Sequence, residues 1–160
     1  MKILGINPYM NISSAALMVN NNIIAAAPEE RFSRIKMSAA FPKNAIKWCL
    51  NFSGLSWNDL DCIVVPWNPQ LNVNTASNRW ISQMRWRGEM LTNIPINLMK
   101  NIDEKPGNKI EMSWSGKKLL FLNHHECHAA LSFFQSPFER SDILTIDGTG
   151  ENDTCLLAKG

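Results

Sequence analysis

Apolar residues fall in short blocks along this chain, and turn formers bound most of them. Lys2 to Asn7 is an apolar run closed by Pro8 and reads as a buried strand. Ser14 to Val19 and Ile23 to Ala27 flank Asn20-Asn21-Asn22, residues that tolerate left-handed backbone and so favour a tight hairpin. Three consecutive antiparallel strands are therefore expected at the start. After the charged stretch Glu29 to Lys36, Pro42 starts a helix with Ala45, Ile46, Cys49 and Leu50 on one face. Ser56 to Leu60 reads as a capped turn leading to a strand at Cys62 to Val65. Pro66 to Thr75 reads as polar loop. Residues 76 to 104 read as helical, with Ile81, Met84, Met90 and Leu91 inward and an interruption at Pro95, and Pro106 to Gly116 as loop. The pattern then returns to strand (Lys118 to Asn123), helix (His124 to Gln135) and two strands (Asp142 to Asp147, Thr154 to Ala158).

The pattern contains a repeat. Ile3-Leu4-Gly5-Ile6-Asn7 matches Ile143-Leu144-Thr145-Ile146-Asp147 at an offset of 140 residues, and at the same offset Ser14 falls on Thr154 and Leu17 on Leu157. Three antiparallel strands followed by alternating helix and strand resemble the ribonuclease-H-like layout that occurs twice in actin-like ATPases. The expected fold is thus α/β, a mixed sheet with helices. Residues 1–138 would form a first lobe, and 139–160 the first hairpin of a second lobe only begun. A two-stranded hairpin is marginal alone in water. The chain is accordingly expected to be incomplete or to have a partner.

Composition narrows the class. With 45% hydrophobic and 19% charged residues the chain reads as globular. A formal net charge of +2 gives no argument for nucleic acid. Arg79-Trp80 and Arg85-Trp86-Arg87 fit an amphipathic helix better than a nucleic-acid surface. There is no signal-peptide pattern and no apolar run long enough for a membrane. Four cysteines without CxxC spacing fit free thiols in a reducing cytoplasm.

The chemistry concentrates in Asn123-His124-His125-Glu126-Cys127-His128, followed by Asp147-Gly148-Thr149-Gly150. On a helix, His124 and His128 lie one turn apart on one face, which is how two imidazoles can begin a metal site. Surface or core histidines at a helix start are the other reading of the spacing. His125 points about 100° away and would pack or orient a neighbour. The stretch from His125 to His128 is one residue too short for HExxH, so Glu126 is not assigned as a base. Asp147 ends a buried strand at a glycine-rich turn, where a metal or phosphate contact is expected. Amides at Gly148 and Gly150 could approach anionic oxygens, and Thr149 could add a hydroxyl.

Two blocks carry a family resemblance. Glu29-Glu30-Arg31-Phe32-Ser33-Arg34-Ile35-Lys36 with Phe41-Pro42 forms the first. His124-His125-Glu126-Cys127-His128-Ala129-Ala130 with Asp147-Gly148-Thr149-Gly150-Glu151 forms the second. Both resemble the N-terminal part of the nodulation and antibiotic O-carbamoyltransferases, whose metal-binding domain is similar to the tRNA threonylcarbamoyl-transferring ATPases. The resemblance implies a divalent metal, iron ahead of zinc or manganese, held by His124, His128 and Asp147. It implies ATP and carbamoyl phosphate as substrates of the complete enzyme, with carbamoyl-adenylate made by a second domain and the carbamoyl group passed to a hydroxyl of a small molecule. The remaining lobe and the adenylate-forming domain would then be supplied in cis or in trans. Arg31, Arg34 and Lys36 either meet the phosphate or adenylate or pair locally with Glu29 and Glu30.

Two departures bear on catalysis. Where the family usually has a His-Asp pair before Ser-Ala-Ala-Leu, this chain has Asn11-Ile12, and Lys36-Met37-Ser38 replaces Lys-His-Asp. Asparagine at position 11 cannot take a proton at neutral pH, so it is a doubtful stand-in for the general base. Two functions are therefore expected: the N-terminal portion of a carbamoyltransferase, or a truncated, non-catalytic copy that binds metal or a protein partner.

Overall fold

A computed structural model describes residues 1–9, 12–67, 118–148, 150 and 153–160. They fall into two compact units, residues 1–65 with 118–120, and residues 66–67 with 121–160. Asn11, Thr149 and the stretch read as helical over 76–104 lie outside the described residues. No helix among those described is long and apolar enough to cross a membrane.

The first unit is built on a mixed five-stranded sheet. Strands β1 (Lys2–Asn7), β2 (Ser14–Val19) and β3 (Asn22–Pro28) form the expected antiparallel series. Asn20 and Asn21 take φ of 49° and 68°, both left-handed, as a two-residue turn matched to strand twist requires. On its other edge β1 pairs in parallel with β4 (Cys62–Val65), and β5 (Lys118–Phe121) completes the order β3-β2-β1-β4-β5. The architecture is α/β.

Between β3 and β4 run α1 (Glu30–Ser33), a single turn ended by Arg34 in left-handed conformation, and α2 (Lys43–Ser53). Helix α2 buries the expected Ala45, Ile46, Cys49 and Leu50, and packs on β2 and β3. Leu4, Ile6, Leu17 and Ala15, at most 3% exposed, form the matching sheet face. Gly54 ends α2 at φ 68°, and Leu55 N–H reaches back to the Leu50 carbonyl at 3.0 Å, satisfying an acceptor the helix leaves open. A single 3₁₀ turn, Trp57–Asp59, is closed by reciprocal Ser56–Asp59 contacts, as the capped turn was expected to be.

The start of α2 holds a feature absent from the sequence reading. Pro42 offers its helix no side-chain cap. Glu29, 2% exposed, takes that role from fifteen residues away: its carboxylate accepts Asn44 Nδ2–H at 2.6 Å and the Ala45 amide at 2.9 Å. A carboxylate there satisfies amides that the first turn leaves without partners and meets the positive end of the helix dipole.

The second unit pairs a helix with a hairpin. Helix α3 (His124–Phe134) is capped by Asn123, whose side-chain oxygen accepts the amides of His125 and Glu126. Strands β6 (Asp142–Ile146) and β7 (Cys155–Lys159) pair antiparallel, and α3 packs on both. Inward Ile143 and Thr145 are buried with His125 and Ala129 of the helix.

The repeat at an offset of 140 holds residue by residue in the pairing. Ile6↔Ala15, Leu4↔Leu17 and Lys2↔Val19 in the first hairpin correspond to Ile146↔Cys155, Leu144↔Leu157 and Asp142↔Lys159 in the second.

Candidate metal centre

Helix α3 presents His124 and His128 one turn apart on the face beside Asp147, which directly follows β6. Their donor atoms form a small triangle. His124 Nε2 lies 2.9 Å from Asp147 Oδ2 and 3.0 Å from His128 Nε2, and the third edge, His128 Nε2 to Asp147 Oδ2, is 3.4 Å. Ligand atoms about 2.0–2.2 Å from one ion and roughly at right angles around it are separated by about 3 Å, so the triangle fits one divalent cation.

The hydrogen bonds of His124 point the same way. His124 Nδ1 is 3.3 Å from the Pro66 carbonyl, which can only accept, so Nδ1 carries a hydrogen and Nε2 is the nitrogen turned toward Asp147 and His128. Trp67, 3% exposed, packs its ring 4.9 Å from that of His124 and limits its rotation. A histidine lone pair facing a carboxylate oxygen at 2.9 Å is repulsive unless a proton or a metal ion lies between them. The hydrogen bond of His124, followed by that of the Gly148 amide, holds the Asp147 carboxyl below the usual carboxylate range. The group therefore stays anionic. Among the described residues, His124, His128 and Asp147 are the three-residue group whose donor atoms could share an ion.

His125 is set apart from this triangle. It is 1% exposed and hydrogen-bonds to Thr145 Oγ1 and the Asp153 carbonyl, both at 2.8 Å. Cys127 is half-buried and Glu126 exposed.

The remaining candidates divide. The Gly148 amide donates to Asp147 Oδ1 at 2.6 Å and so orients the carboxylate. Gly150 is buried against the His125 ring. Arg31, Arg34 and Lys36 belong to the first unit and are exposed. Local pairing with Glu29 and Glu30 is not what engages those carboxylates: Glu29 caps α2, and Glu30 accepts the Met37 amide at 3.0 Å. Nothing in the residue pattern points to the Pro66 carbonyl or Trp67 beside His124, because both lie in a stretch with no periodicity.

An α/β chain carrying a two-histidine, one-carboxylate cluster at a hairpin turn is the class that fold and site define. The chain belongs to the carbamoyltransferase N-terminus family, whose sequence model matches residues 2–159. It is 34% identical to the uncharacterized protein sll1178 of Synechocystis sp. over 166 residues, covering 99% of this chain and 27% of that protein. It is 33% identical over 159 residues to nodulation protein NolNO of Sinorhizobium fredii, covering 96% of this chain and 22% of the relative. The chain thus spans about a quarter of the length of these relatives.

Proposed function

We propose that this chain is the N-terminal part of a carbamoyltransferase that passes a carbamoyl group, drawn from carbamoyl phosphate through carbamoyl-adenylate, to a hydroxyl of a small molecule. The observation that carries the reading is the convergence of His124, His128 and Asp147 donor atoms within 3.4 Å in a member of this family. Two imidazoles and a carboxylate suit iron ahead of zinc or manganese. A divalent ion bound there would act as a Lewis acid toward a carbonyl or phosphoryl oxygen.

The chain's own residues do the positioning. Pro66 and Trp67 orient His124, Gly148 orients Asp147, and the Asn123 cap sets the helix start from which both histidines project. In this reading Arg31, Arg34 and Lys36 are the candidates of the first unit for the phosphate or adenylate; in the second unit the Gly150 amide and the Thr149 hydroxyl are candidate anion contacts, the Gly148 amide being engaged by Asp147. Asn11 supplies no base, so proton transfer falls to another group.

The ribonuclease-H-like, actin-like reading of the fold belongs to this proposal. It draws support from the two hairpins in identical register, one opening a lobe of residues 1–138 and the other opening a second lobe at 139–160. The further lobe and the adenylate-forming domain are the partners required, in a cytoplasmic enzyme with ATP and carbamoyl phosphate as substrates.

The test uses the full-length protein and labelled carbamoyl phosphate with ATP. Asp147→Ala is expected to abolish transfer to a hydroxylated acceptor while carbamoyl-adenylate still forms. Transfer at the wild-type rate by this variant would reject the assignment. Failure of the wild-type protein to transfer the label to any hydroxylated acceptor would favour the non-catalytic metal- or protein-binding copy.

A further inference from the structure

We propose that His125, which contributes no donor atom to the triangle, is the residue that positions Asp147 within it. The inference rests on the metal reading above.

His125 grips the β6–β7 connection on both sides of Asp147. On one side Nδ1 meets Thr145 Oγ1, two residues before Asp147, at 2.8 Å. On the other, Nε2 meets the carbonyl of Asp153, six residues after it, also at 2.8 Å. A carbonyl only accepts, so Nε2 carries the hydrogen, and Nδ1 accepts the Thr145 hydroxyl proton. His124 turns its Nε2 toward the cluster, whereas both nitrogens of His125 are spent on the turn.

Packing reinforces the grip. A Cβ built on Gly150 would fall 2.7 Å from His125 Cδ2 and 2.9 Å from Nε2, and would also strike the Asp153 carbonyl. The turn can lie against the ring only because position 150 has no side chain. Asp147 N–H donates to the Thr154 carbonyl at 2.9 Å, closing the turn just beyond the Asp153 contact. The turn's exit is therefore tied to helix α3, which also carries His124 and His128. One helix sets all three corners of the triangle, two directly and the third through His125.

Residues that orient ligands typically change metal affinity about 10–100-fold when replaced. The experiment titrates the full chain with Co(II) and follows affinity and visible spectrum. His125→Phe keeps an aromatic ring at this position and removes both hydrogen bonds. It is expected to weaken binding about tenfold or more and to shift the spectrum toward that of Asp147→Ala. His125→Gln, whose amide nitrogen can donate to the Asp153 carbonyl, is expected to recover most of the affinity. Gly150→Ala, whose methyl would collide with both the Asp153 carbonyl and the His125 ring and so part them, should reproduce the loss, and it carries the test if His125→Phe does not fold.

A merely structural role would lower the melting temperature of His125→Phe and leave Co(II) affinity and spectrum at wild-type values. That result would overturn the proposal while leaving the metal site standing. Wild-type protein that binds Co(II) no better than His124→Ala would overturn the metal reading itself, and this inference with it.

Discussion

The two hairpins of this protein pair in the same register and differ in what covers them. In the first, Leu4, Ile6 and Leu17 are 0%, 1% and 0% exposed, on the sheet face against which α2 packs at β2 and β3. Their counterparts in the second, Leu144, Ile146 and Leu157, are 60%, 75% and 74% exposed. Helix α3 covers the opposite face, against Ile143 and Thr145. A strand apolar on both faces is built for burial on both. The second hairpin therefore carries the side chains for a cover like α2, with none supplied by the described residues. The turns differ as well: Asn7 closes the first strand, and Asp147 stands at the same point of the second. One hairpin serves as core, and its counterpart holds the charged side chain of the candidate centre.

The largest effect is expected where the turns differ. Asp147→Asn gives the second turn the residue of the first, and it should reduce bound divalent metal to background, as should His124→Ala with His128→Ala. Metal analysis of the purified proteins reads this out. Equal metal in wild type and variants would remove the functional contrast between the hairpins.

Next in size is the contrast in burial. Leu17→Ala should destabilise the chain by about 2–5 kcal/mol, the range for a core leucine. Its repeat counterpart Leu157→Ala should change stability by no more than about 0.5 kcal/mol. Denaturant unfolding of both variants measures the difference. Similar losses at the two positions would mean that the outward face of the second hairpin is covered in solution.

The cover over the first hairpin can also be loosened from a distance. Glu29→Ala removes the carboxylate from the start of α2 and should cost about 0.5–2 kcal/mol, the usual range for losing a helix cap. Hydrogen exchange should rise in the first turn of α2 and stay unchanged in β6 and β7. Protection lost equally in both units would contradict a local capping role.

The smallest effect is chemical. Burial raises the pKa of the Cys49 thiol on the inner face of α2, whereas Cys155 on β7 is exposed. Alkylation at neutral pH should therefore modify Cys155 at least about tenfold faster than Cys49, a ratio that disappears in denaturant. Comparable native rates would mean that α2 does not seal its sheet face.

Much of the fold was legible because local signals agreed. The apolar stripe of α2, the asparagines at 20 and 21, the Ser56 turn and the ends of β1 and β2 all rest on interactions within a few residues. Burial of Leu144, Ile146 and Leu157 was not legible, since the same alternation describes a covered strand and an uncovered one. The metal cluster was half legible. The four-residue spacing of His124 and His128 requires only a helix, but their meeting with Asp147 depends on how α3 packs on β6.

By itself, then, the sequence determined the family, the strand and helix order of the described residues, the hairpin repeat and the residues of the candidate centre, because these depend on residue type and short-range periodicity. Only the tertiary structure decided that Glu29 caps a helix instead of pairing with nearby arginines. It alone assigned the Pro66 carbonyl to His124, and gave His125 to the turn and not to the metal triangle. Each of these hinges on which donor meets which acceptor across many residues, and a hydrogen bond is directional over a few tenths of an ångström. Spacing along a chain carries no such information.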